Sequence, residues 1–199
     1  MGTDKRGKRL TVFYGHPVAE SFCSALCSAY VKGARAAGCE VREHQVARLQ
    51  FDPLLRRGYL DIQPLEPDLL TAQQDILWAN HLVFAFPIWW GVPPAQLKGL
   101  IDRVFHPTFA FKYPTAKSRF PNQLLTGRSA RLILTMDSPT WYYRLCMGAP
   151  GIRMMKHSVL HFCGVKPVRV SPVGSVRFSS PAQREAWLQA LERLGQHSL

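Results

Sequence analysis

Residues 15–22 read GHPVAESF and combine groups that could bind an anion. His16 and Ser21 supply side-chain donors, and a helix pattern begins at Phe22, so its backbone N–H groups and its dipole favour negative charge there. The segment contains neither GxGxxG nor GxxxxGK[ST], which excludes a Rossmann or a Walker loop as its explanation. Each side chain also has a structural interpretation, His16 as a hydrogen-bonded histidine at a strand end and Ser21 as a helix N-cap.

Two further segments place aromatic side chains next to prolines and polar groups. Residues 87–94 read PIWWGVPP, a turn in which Trp90 offers a rigid wall for a flat heteroaromatic ring and backbone amides reach its polar edge. Residues 136–144 read MDSPTWYYR, whose aromatic residues have apolar bodies and polar tips, as many small-molecule pockets do. The alternatives are an aromatic cluster that covers the sheet end or contacts a second subunit, and surface aromatics packed beneath a loop.

The elements that must position these segments alternate between strand and helix periodicity. Strands are predicted over residues 10–14, 40–46, 81–86, 130–136 and 167–176. Helices are predicted over residues 22–36, 68–79, 94–107 and 152–164, and a fifth helix is predicted to begin at a capping box of Ser180 and Gln183. Gly38 is predicted at the C-cap of the first helix and Pro94 at the first position of the third. This alternation predicts a doubly wound parallel sheet of five strands covered on both faces, with the three segments near one edge.

The connections between these elements show no domain boundary. Residues 49–67 and 107–128 are predicted to be irregular, and no repeat or low-complexity linker divides the chain. Residues 1–199 are therefore predicted to form a single domain, with residues 1–8 as a flexible basic arm.

Composition narrows the partners and the compartment. The chain has a net charge of +12, which favours anionic partners, but its basic residues are dispersed apart from Lys5, Arg6, Lys8 and Arg9. Since RNP-type motifs and zinc-finger spacing are absent from the sequence, no nucleic-acid partner is predicted. The apolar run 82–95 is interrupted by prolines and falls short of the roughly 18 residues of a spanning helix, so no membrane insertion is predicted.

The cysteines and histidines predict neither disulfides nor a metal site. The chain has five cysteines without CxxC spacing, which indicates free thiols. The apolar segment near the N-terminus is too short for a signal-peptide core and no small-residue cleavage site follows it, so a cytoplasmic protein is predicted. His157 and His161 are four residues apart on a predicted helix, but no third ligand is suggested nearby. Asp102 and Arg103 are interpreted as a solvated or structural pair.

Three motifs resemble those of a known family: GHPVAESF, FAFPIWWGVPPAQLKGLIDRVF and LHFCG at residues 160–164. On them the chain resembles the flavodoxin-like NAD(P)H:quinone reductases, the group of DT-diaphorase and of the modulator of drug activity B enzymes. The resemblance covers about residues 9–170. It implies that residues 1–199 form a single flavodoxin-like flavin-binding domain whose sheet has the strand order 2-1-3-4-5. It also implies bound FAD, with FMN as a close alternative, and a homodimer with the active site at its interface.

The resemblance also implies an activity and residue roles. The activity is a two-electron ping-pong reaction in which hydride passes from NAD(P)H through the flavin to a quinone or a similar acceptor. The residues implied to contact the flavin phosphates are His16, Ser21 and Phe22. Those implied to hold the isoalloxazine are Pro87, Ile88, Trp89 and Trp90, with Trp90 against the ring and Trp89 contributing mainly backbone. Trp90→Ala is therefore expected to damage flavin retention or turnover far more than Trp89→Ala.

The chain departs from the family pattern at several positions. Asp137 and Ser138 stand in the flavin-contacting loop where the family has TTGG, and Cys23 replaces an asparagine. Tyr142 or Tyr143 is expected to compensate charge on the reduced flavin, whereas the histidine that shares this role in the family has no counterpart. The alternative function is a flavin-binding accessory or regulatory protein, or a flavodoxin-like electron carrier, with little quinone turnover.

Overall fold

The computed structural model describes residues 8–61, 63–115 and 118–197. Of the predicted flexible arm, residues 1–8, only Lys8 lies within the described residues. The strands are β1 (Arg9–Tyr14), β2 (Glu40–Gln45), β3 (His81–Pro87), β4 (Phe111–Lys112), β5 (Asn122–Gln123), β6 (Ser129–Thr135) and β7 (Val168–Val173). The α-helices are α1 (Phe22–Ala36), α2 (Pro67–Trp78), α3 (Ala95–Val104), α4 (Thr140–Leu145), α5 (Pro150–Arg153) and α6 (Pro181–His197).

Five strands form a parallel sheet in the order β2-β1-β3-β6-β7. Counted along that sheet the order is 2-1-3-4-5, which confirms the predicted flavodoxin-like topology. β3 lies in the middle and all seven of its residues are buried, as expected for a strand covered on both faces. The carboxyl ends of β1, β3 and β6 therefore reach the same edge of the sheet.

Alternation along the strands divides the core into two layers. Val12 and Tyr14 of β1 face α1 and α6, whereas Phe13 faces the opposite layer and stacks on Phe84 with ring centroids 5.0 Å apart. Helices α1 and α6 pack so closely that a Cβ on Gly33 would lie 1.9 Å from the carbonyl oxygen of Glu192. The predicted capping box starts α6, because Ser180 and Gln183 exchange reciprocal side-chain to backbone hydrogen bonds.

The structure corrects several predicted boundaries. Pro94 is the N-cap of α3 and not its first residue, and α3 ends at Val104 and not at Pro107. The helix predicted over residues 152–164 is α5 continued by a π-helical segment, Met154–His161. The predicted irregular residues 107–128 contain the small antiparallel pair of β4 and β5, and α4 was not predicted at all. Such short elements have too few residues to show a period in the sequence.

One buried arginine, Arg103, anchors the connection between β2 and α2 to α3. Arg103 of α3 donates to the carbonyl oxygens of Asp52 and Pro64 and pairs with Glu66 at 2.8 Å, while Asp102 pairs with Lys98. Asp102 and Arg103 thus pair with other residues and not with each other. Among the helices of the described ranges, none is both long and apolar enough to cross a bilayer.

Candidate active site

A cleft of about 270 Å³ opens at the carboxyl edge of the sheet, between the ends of β1, β3 and β6 and the start of α1. Seven of the residues proposed from the sequence line it: His16, Ser21, Phe22, Pro87, Ile88, Trp89 and Asp137. Trp90, Ser138, Tyr142 and Tyr143 are not among its lining residues. The topology thus brings the loops after β1, β3 and β6 together, although not every residue within them.

The start of α1 offers unpaired backbone donors to the cleft. Ser21 is the N-cap, and its Oγ accepts from the N–H of Ser24 at 3.2 Å. The N–H groups of Phe22 and Cys23 belong to the first turn, where an α-helix provides no acceptor. α1 also carries no acidic residue in that turn to compete for them. This end of the cleft is therefore suited to a phosphate or another anion.

His16 is held as a neutral donor. Its Nδ1 lies 2.9 Å from the backbone nitrogen of Val18 and 3.1 Å from the carbonyl oxygen of the same residue. When Nδ1 accepts from the Val18 N–H, the neutral ring carries its proton on Nε2. Burial lowers the pKa of His16, and a backbone hydrogen bond with Val18 opposes this only in part. The ring stands edge-on to Trp89 with centroids 5.6 Å apart. His16 therefore offers an Nε2–H donor beside the apolar turn.

The turn after β3 has a defined geometry that separates the two tryptophans. Trp89 and Val92 exchange both backbone hydrogen bonds, at 2.9 and 3.0 Å, and the two residues between them have positive φ, 49° at Trp90 and 84° at Gly91. This is the pattern of a type I′ turn, in which both central residues are left-handed. Trp89 consequently lines the cleft, whereas Trp90 projects from the tip with its side chain 101% exposed. Trp90 is thus not among the lining residues of the cleft, and its expected contact with a flavin ring stays a prediction.

Tyr143 supports this turn from beneath. Its side chain is 1% exposed, and its hydroxyl donates to the carbonyl oxygen of Gly91 and accepts from the N–H of Gly151, both at 2.9 Å. Burial raises the pKa of the phenol, so it stays protonated in the neutral range. Both hydrogen-bonding directions of Tyr143 are used by backbone, which fixes the turn and leaves the hydroxyl enclosed.

Tyr142 lies on the other side of α4. It is half-exposed and stands edge-on to Trp141 at 5.9 Å. Together with other exposed apolar side chains of α4 and of the two adjoining loops it forms a surface that we call the aromatic patch. Its members are Trp90, Trp141, Tyr142, Leu145 and Met147.

The loop after β6 closes the far side of the cleft. Asp137 is exposed and its Oδ1 accepts from the N–H of Arg177 at 3.1 Å, while the carbonyl oxygen of Ser138 accepts from the N–H of Ser175. These bonds bring Val176, which follows β7, into the cleft lining. Sequence reasoning missed Val176 because its position depends on contacts between two loops and not on a local motif.

Cys23 and Thr135 form the buried floor of the cleft. The Cys23 thiol is hydrogen-bonded by Thr135, and burial raises its pKa to about 12, so it is a neutral thiol. Sequence reasoning noted Cys23 only as a departure from the family pattern, and it missed Thr135, the last residue of β6. His157 and His161, the other candidate pair, have ring centroids 5.1 Å apart. Within the described ranges no three His, Cys, Asp or Glu side chains are grouped to hold a metal ion.

Comparisons with known proteins agree with this architecture. The sequence pattern of the family described as having a flavodoxin-like fold matches residues 8–198. Ribosyldihydronicotinamide dehydrogenase [quinone] from Mus musculus is 26% identical over 94% of this chain and 92% of its own length. NAD(P)H dehydrogenase [quinone] 1 from Rattus norvegicus is also 26% identical, over 96% of this chain and 79% of its own length.

Solved structures show the same fold. The crystal structure of Smu.1420 from Streptococcus mutans UA159 is 27% identical, with a TM-score of 0.77 over 94% of this chain and 98% of its own. NAD(P)H:quinone oxidoreductase from Methanothermobacter marburgensis has a TM-score of 0.80 at 24% identity and covers 96% of both chains. The match to residues 8–198 spans nearly the whole sequence, and the strand order agrees with it. The chain therefore belongs to the family of proteins with a flavodoxin-like fold.

Proposed function

We propose that this chain is a flavin-dependent oxidoreductase that transfers hydride from NAD(P)H to a quinone or a similar acceptor. The observation that carries the proposal is the pairing, within one cleft, of an anion-binding helix start with an apolar turn. The N–H groups of Phe22 and Cys23 lie at one end, and the turn that begins at Pro87 lies at the other. Relatives that match over nearly the whole chain are named as quinone-linked dehydrogenases, which favours this reading over an electron carrier.

The donor set of the cleft fits a flavin. A flavin nucleotide carries a phosphate and a flat ring with a polar edge. The start of α1 and the Nε2–H of His16 would hold the phosphate, while Pro87, Ile88 and Trp89 would hold the ring. The thiol of Cys23 and the hydroxyl of Thr135 add no negative charge against the phosphate, and Asp137 is the one carboxylate among the lining residues.

When bound, a flavin supplies the capacity to accept a hydride from NAD(P)H and to pass two electrons to a quinone. The chain's own residues provide position and electrostatics. Tyr143 holds the turn 89–92 through Gly91 and Gly151, so the backbone of the turn would bind the flavin without reorganising during the reaction. With its proton on Nε2, His16 would act as a hydrogen-bond donor. The open cleft would admit NAD(P)H and then the quinone. Tyr143 is thus proposed as a positioning residue, while Tyr142 and Ser138 keep the roles expected from the resemblance.

FAD is the flavin that we favour over FMN. A second cavity of about 270 Å³ adjoins the cleft beyond Val176, and Trp141 and Trp187 line it together with Gly174. Trp187 also packs on Phe22 of the cleft with ring centroids 6.1 Å apart. The two cavities together suit a dinucleotide, whose adenine the second cavity would hold. FMN would leave the second cavity without a role.

A homodimer would explain the aromatic patch. The five large apolar side chains of the patch, including the fully exposed Trp90, are costly to leave in water. We propose that a second copy of this chain covers them and that Trp90 contributes to that interface. The five free cysteines are consistent with a cytoplasmic enzyme, the compartment proposed from the sequence.

The experiment that tests the function is reconstitution followed by turnover. Purified protein is titrated with FAD and with FMN by flavin fluorescence, and NADPH and NADH oxidation is then measured with menadione as acceptor. Saturable flavin uptake with acceptor-dependent turnover and parallel-line initial-rate kinetics supports the proposal. Stoichiometric flavin binding without turnover would favour the accessory or carrier reading, and failure to take up either flavin would remove both.

A further inference from the structure

The positive charge of this protein is concentrated in one part of the sequence. Residues 103–184 contain thirteen Lys and Arg residues and one acidic residue, Asp137, a net charge of +12. This equals the net charge of the whole chain, so the remaining residues are balanced. Neither the cleft nor the proposed reaction uses most of these cations.

Three of these cations, Arg128, Lys166 and Arg169, lie with Lys8 and Arg9 at the amino edge of the sheet, opposite the cleft. Arg9 begins β1, Arg128 precedes β6, and the N–H of Lys166, just before β7, donates to the carbonyl oxygen of Arg128 at 2.8 Å. Lys8 and Arg169 lie close enough to the first residue of β3, His81, to lower its pKa. We call this surface the basic edge. It consists of Lys8, Arg9, Arg128, Lys166 and Arg169.

The basic edge is not neutralised by carboxylates. In the described part of the chain the ion pairs use other cations, among them Lys32, Arg35 and Arg42, and none uses a residue of the basic edge. Glu40 is the one acidic residue paired in register with the edge, opposite Arg9. A surplus of positive charge therefore faces solvent there.

Among the residues that the structure describes, the surface around these cations lacks features that bind nucleic-acid bases. Trp78 is the nearby aromatic side chain, but Arg42 lies 4.1 Å and Arg9 5.6 Å from its ring centroid, so guanidinium groups occupy it. The exposed apolar side chain at this end of α2 is Leu77, an aliphatic residue. The five cavities described in the chain are lined by other residues. Cations around an aliphatic side chain, without a stacking platform, suit lipid headgroups better than a single strand of nucleic acid.

We propose that the basic edge docks this protein on an anionic bilayer surface, with Lys166 and Arg169 among its principal contacts. The interaction is peripheral and electrostatic. β3 runs seven residues from one edge of the sheet to the other, about 20 Å at 3.3 Å per residue. Docking by the basic edge thus directs the cleft away from the bilayer, towards soluble NAD(P)H. The proposal is independent of the flavin chemistry.

The test measures sedimentation of the full chain with phosphatidylcholine vesicles that contain phosphatidylglycerol, compared with pure phosphatidylcholine vesicles. The wild type is expected to bind only the anionic vesicles and to dissociate as ionic strength rises from about 0.05 M to about 0.5 M. Each cation near an anionic surface changes partitioning about five-fold, so K166Q/R169Q is expected to bind about twenty-fold more weakly.

The matched control is K32Q/R35Q, which removes the same charge from α1, where both cations are paired with carboxylates. It is expected to bind as the wild type does. Equal losses in the two double variants would indicate a net-charge effect and overturn the proposal, as would binding to neutral vesicles. Tighter binding to duplex DNA than to anionic vesicles at the same ionic strength would assign the surface to nucleic acid instead. Flavin uptake and menadione turnover of K166Q/R169Q should stay unchanged, which separates this test from that of the function.

Discussion

The two edges of this sheet are both suited to anions, but they achieve this by different means. At the carboxyl edge, α1 begins and its unpaired N–H groups attract negative charge without any lysine or arginine in the cleft lining. At the amino edge, α2 ends and its carbonyl oxygens attract cations. Arg128 donates there to the carbonyl oxygens of Ile76 and Leu77. In this parallel sheet with flanking helices, backbone N–H groups thus attract anions at the carboxyl edge, whereas Lys and Arg side chains attract them at the amino edge.

The contrast implies that the carboxyl edge depends on backbone geometry and the amino edge does not. Gly151→Ala tests this most severely, because the new Cβ would lie 2.9 Å from both the Gly91 carbonyl oxygen and the Tyr143 hydroxyl. We expect a loss of about 3 kcal/mol of unfolding free energy from overpacking, with at least a tenfold weaker flavin affinity. Urea unfolding and flavin titration measure the two effects.

Gly127→Ala is the matched substitution near the amino edge. Gly127 has φ of +78°, and a Cβ added there would meet nothing within 4 Å, so the cost is backbone strain alone, about 1 kcal/mol. Flavin affinity is expected to be unchanged. If both variants lost the same stability and the same flavin affinity, the asserted difference between the edges would be wrong.

The amino edge should respond to pH more strongly than its exposed charges suggest. Burial, together with Arg131, Lys8 and Arg169, lowers the pKa of His81 to about 3. Because the unfolded chain then binds more protons, stability is complete above about pH 6.5 and is lost as the pH falls towards 3. At pH 5 the loss due to His81 is about 2 kcal/mol.

His81→Asn should remove that part of the pH dependence, since asparagine does not titrate. Unfolding free energies of the wild type and the variant, measured from pH 7 to pH 5, give the difference in slope. A wild-type slope retained by His81→Asn would show that His81 is not buried in the neutral form.

How far the sequence predicted the site depended on the range of the interaction concerned. Strand and helix periods are local features of the sequence. They predicted all five strands of the sheet, and the resulting topology predicted that the three loops lie near one edge. The turn 89–92 also depends on local residues, but two adjacent tryptophans carry no signal of which one faces inwards. Their separation depends on the positive φ at Trp90, which Tyr143 supports from fifty-odd residues away. The same holds for Val176, whose place in the cleft arises from contacts between the loops after β6 and β7.

The turn geometry leads to a prediction opposite to the one made from the sequence. Trp89→Ala is expected to weaken flavin affinity about tenfold, or about 1.4 kcal/mol, because Trp89 lines the cleft and contacts His16. Trp90→Ala should leave flavin affinity within about twofold and weaken self-association instead. Flavin titration and sedimentation velocity measure the two effects. A larger loss of flavin affinity in Trp90→Ala would restore the expectation from the family resemblance.

The smallest effect is expected where a hydroxyl serves the backbone alone. Tyr143→Phe removes a donor to Gly91 and an acceptor for Gly151, but those two residues remain hydrogen-bonded to each other at 2.9 Å. The loss should therefore be near the lower limit for a buried hydrogen bond, about 1 kcal/mol. Tyr142→Phe, at a half-exposed hydroxyl, is the control and should cost nothing measurable in stability.

The kinetics of Tyr143→Phe distinguish a positioning role of Tyr143 from a catalytic one. If Tyr143 only fixes the turn, Tyr143→Phe weakens flavin affinity in proportion to its effect on stability. Turnover by the flavin-saturated variant then keeps its pH profile. If Tyr143 exchanges a proton during the reaction, turnover falls at full flavin saturation and the basic limb of the profile changes. The enclosed hydroxyl, with both of its hydrogen-bonding directions taken by backbone, leads us to expect the first result.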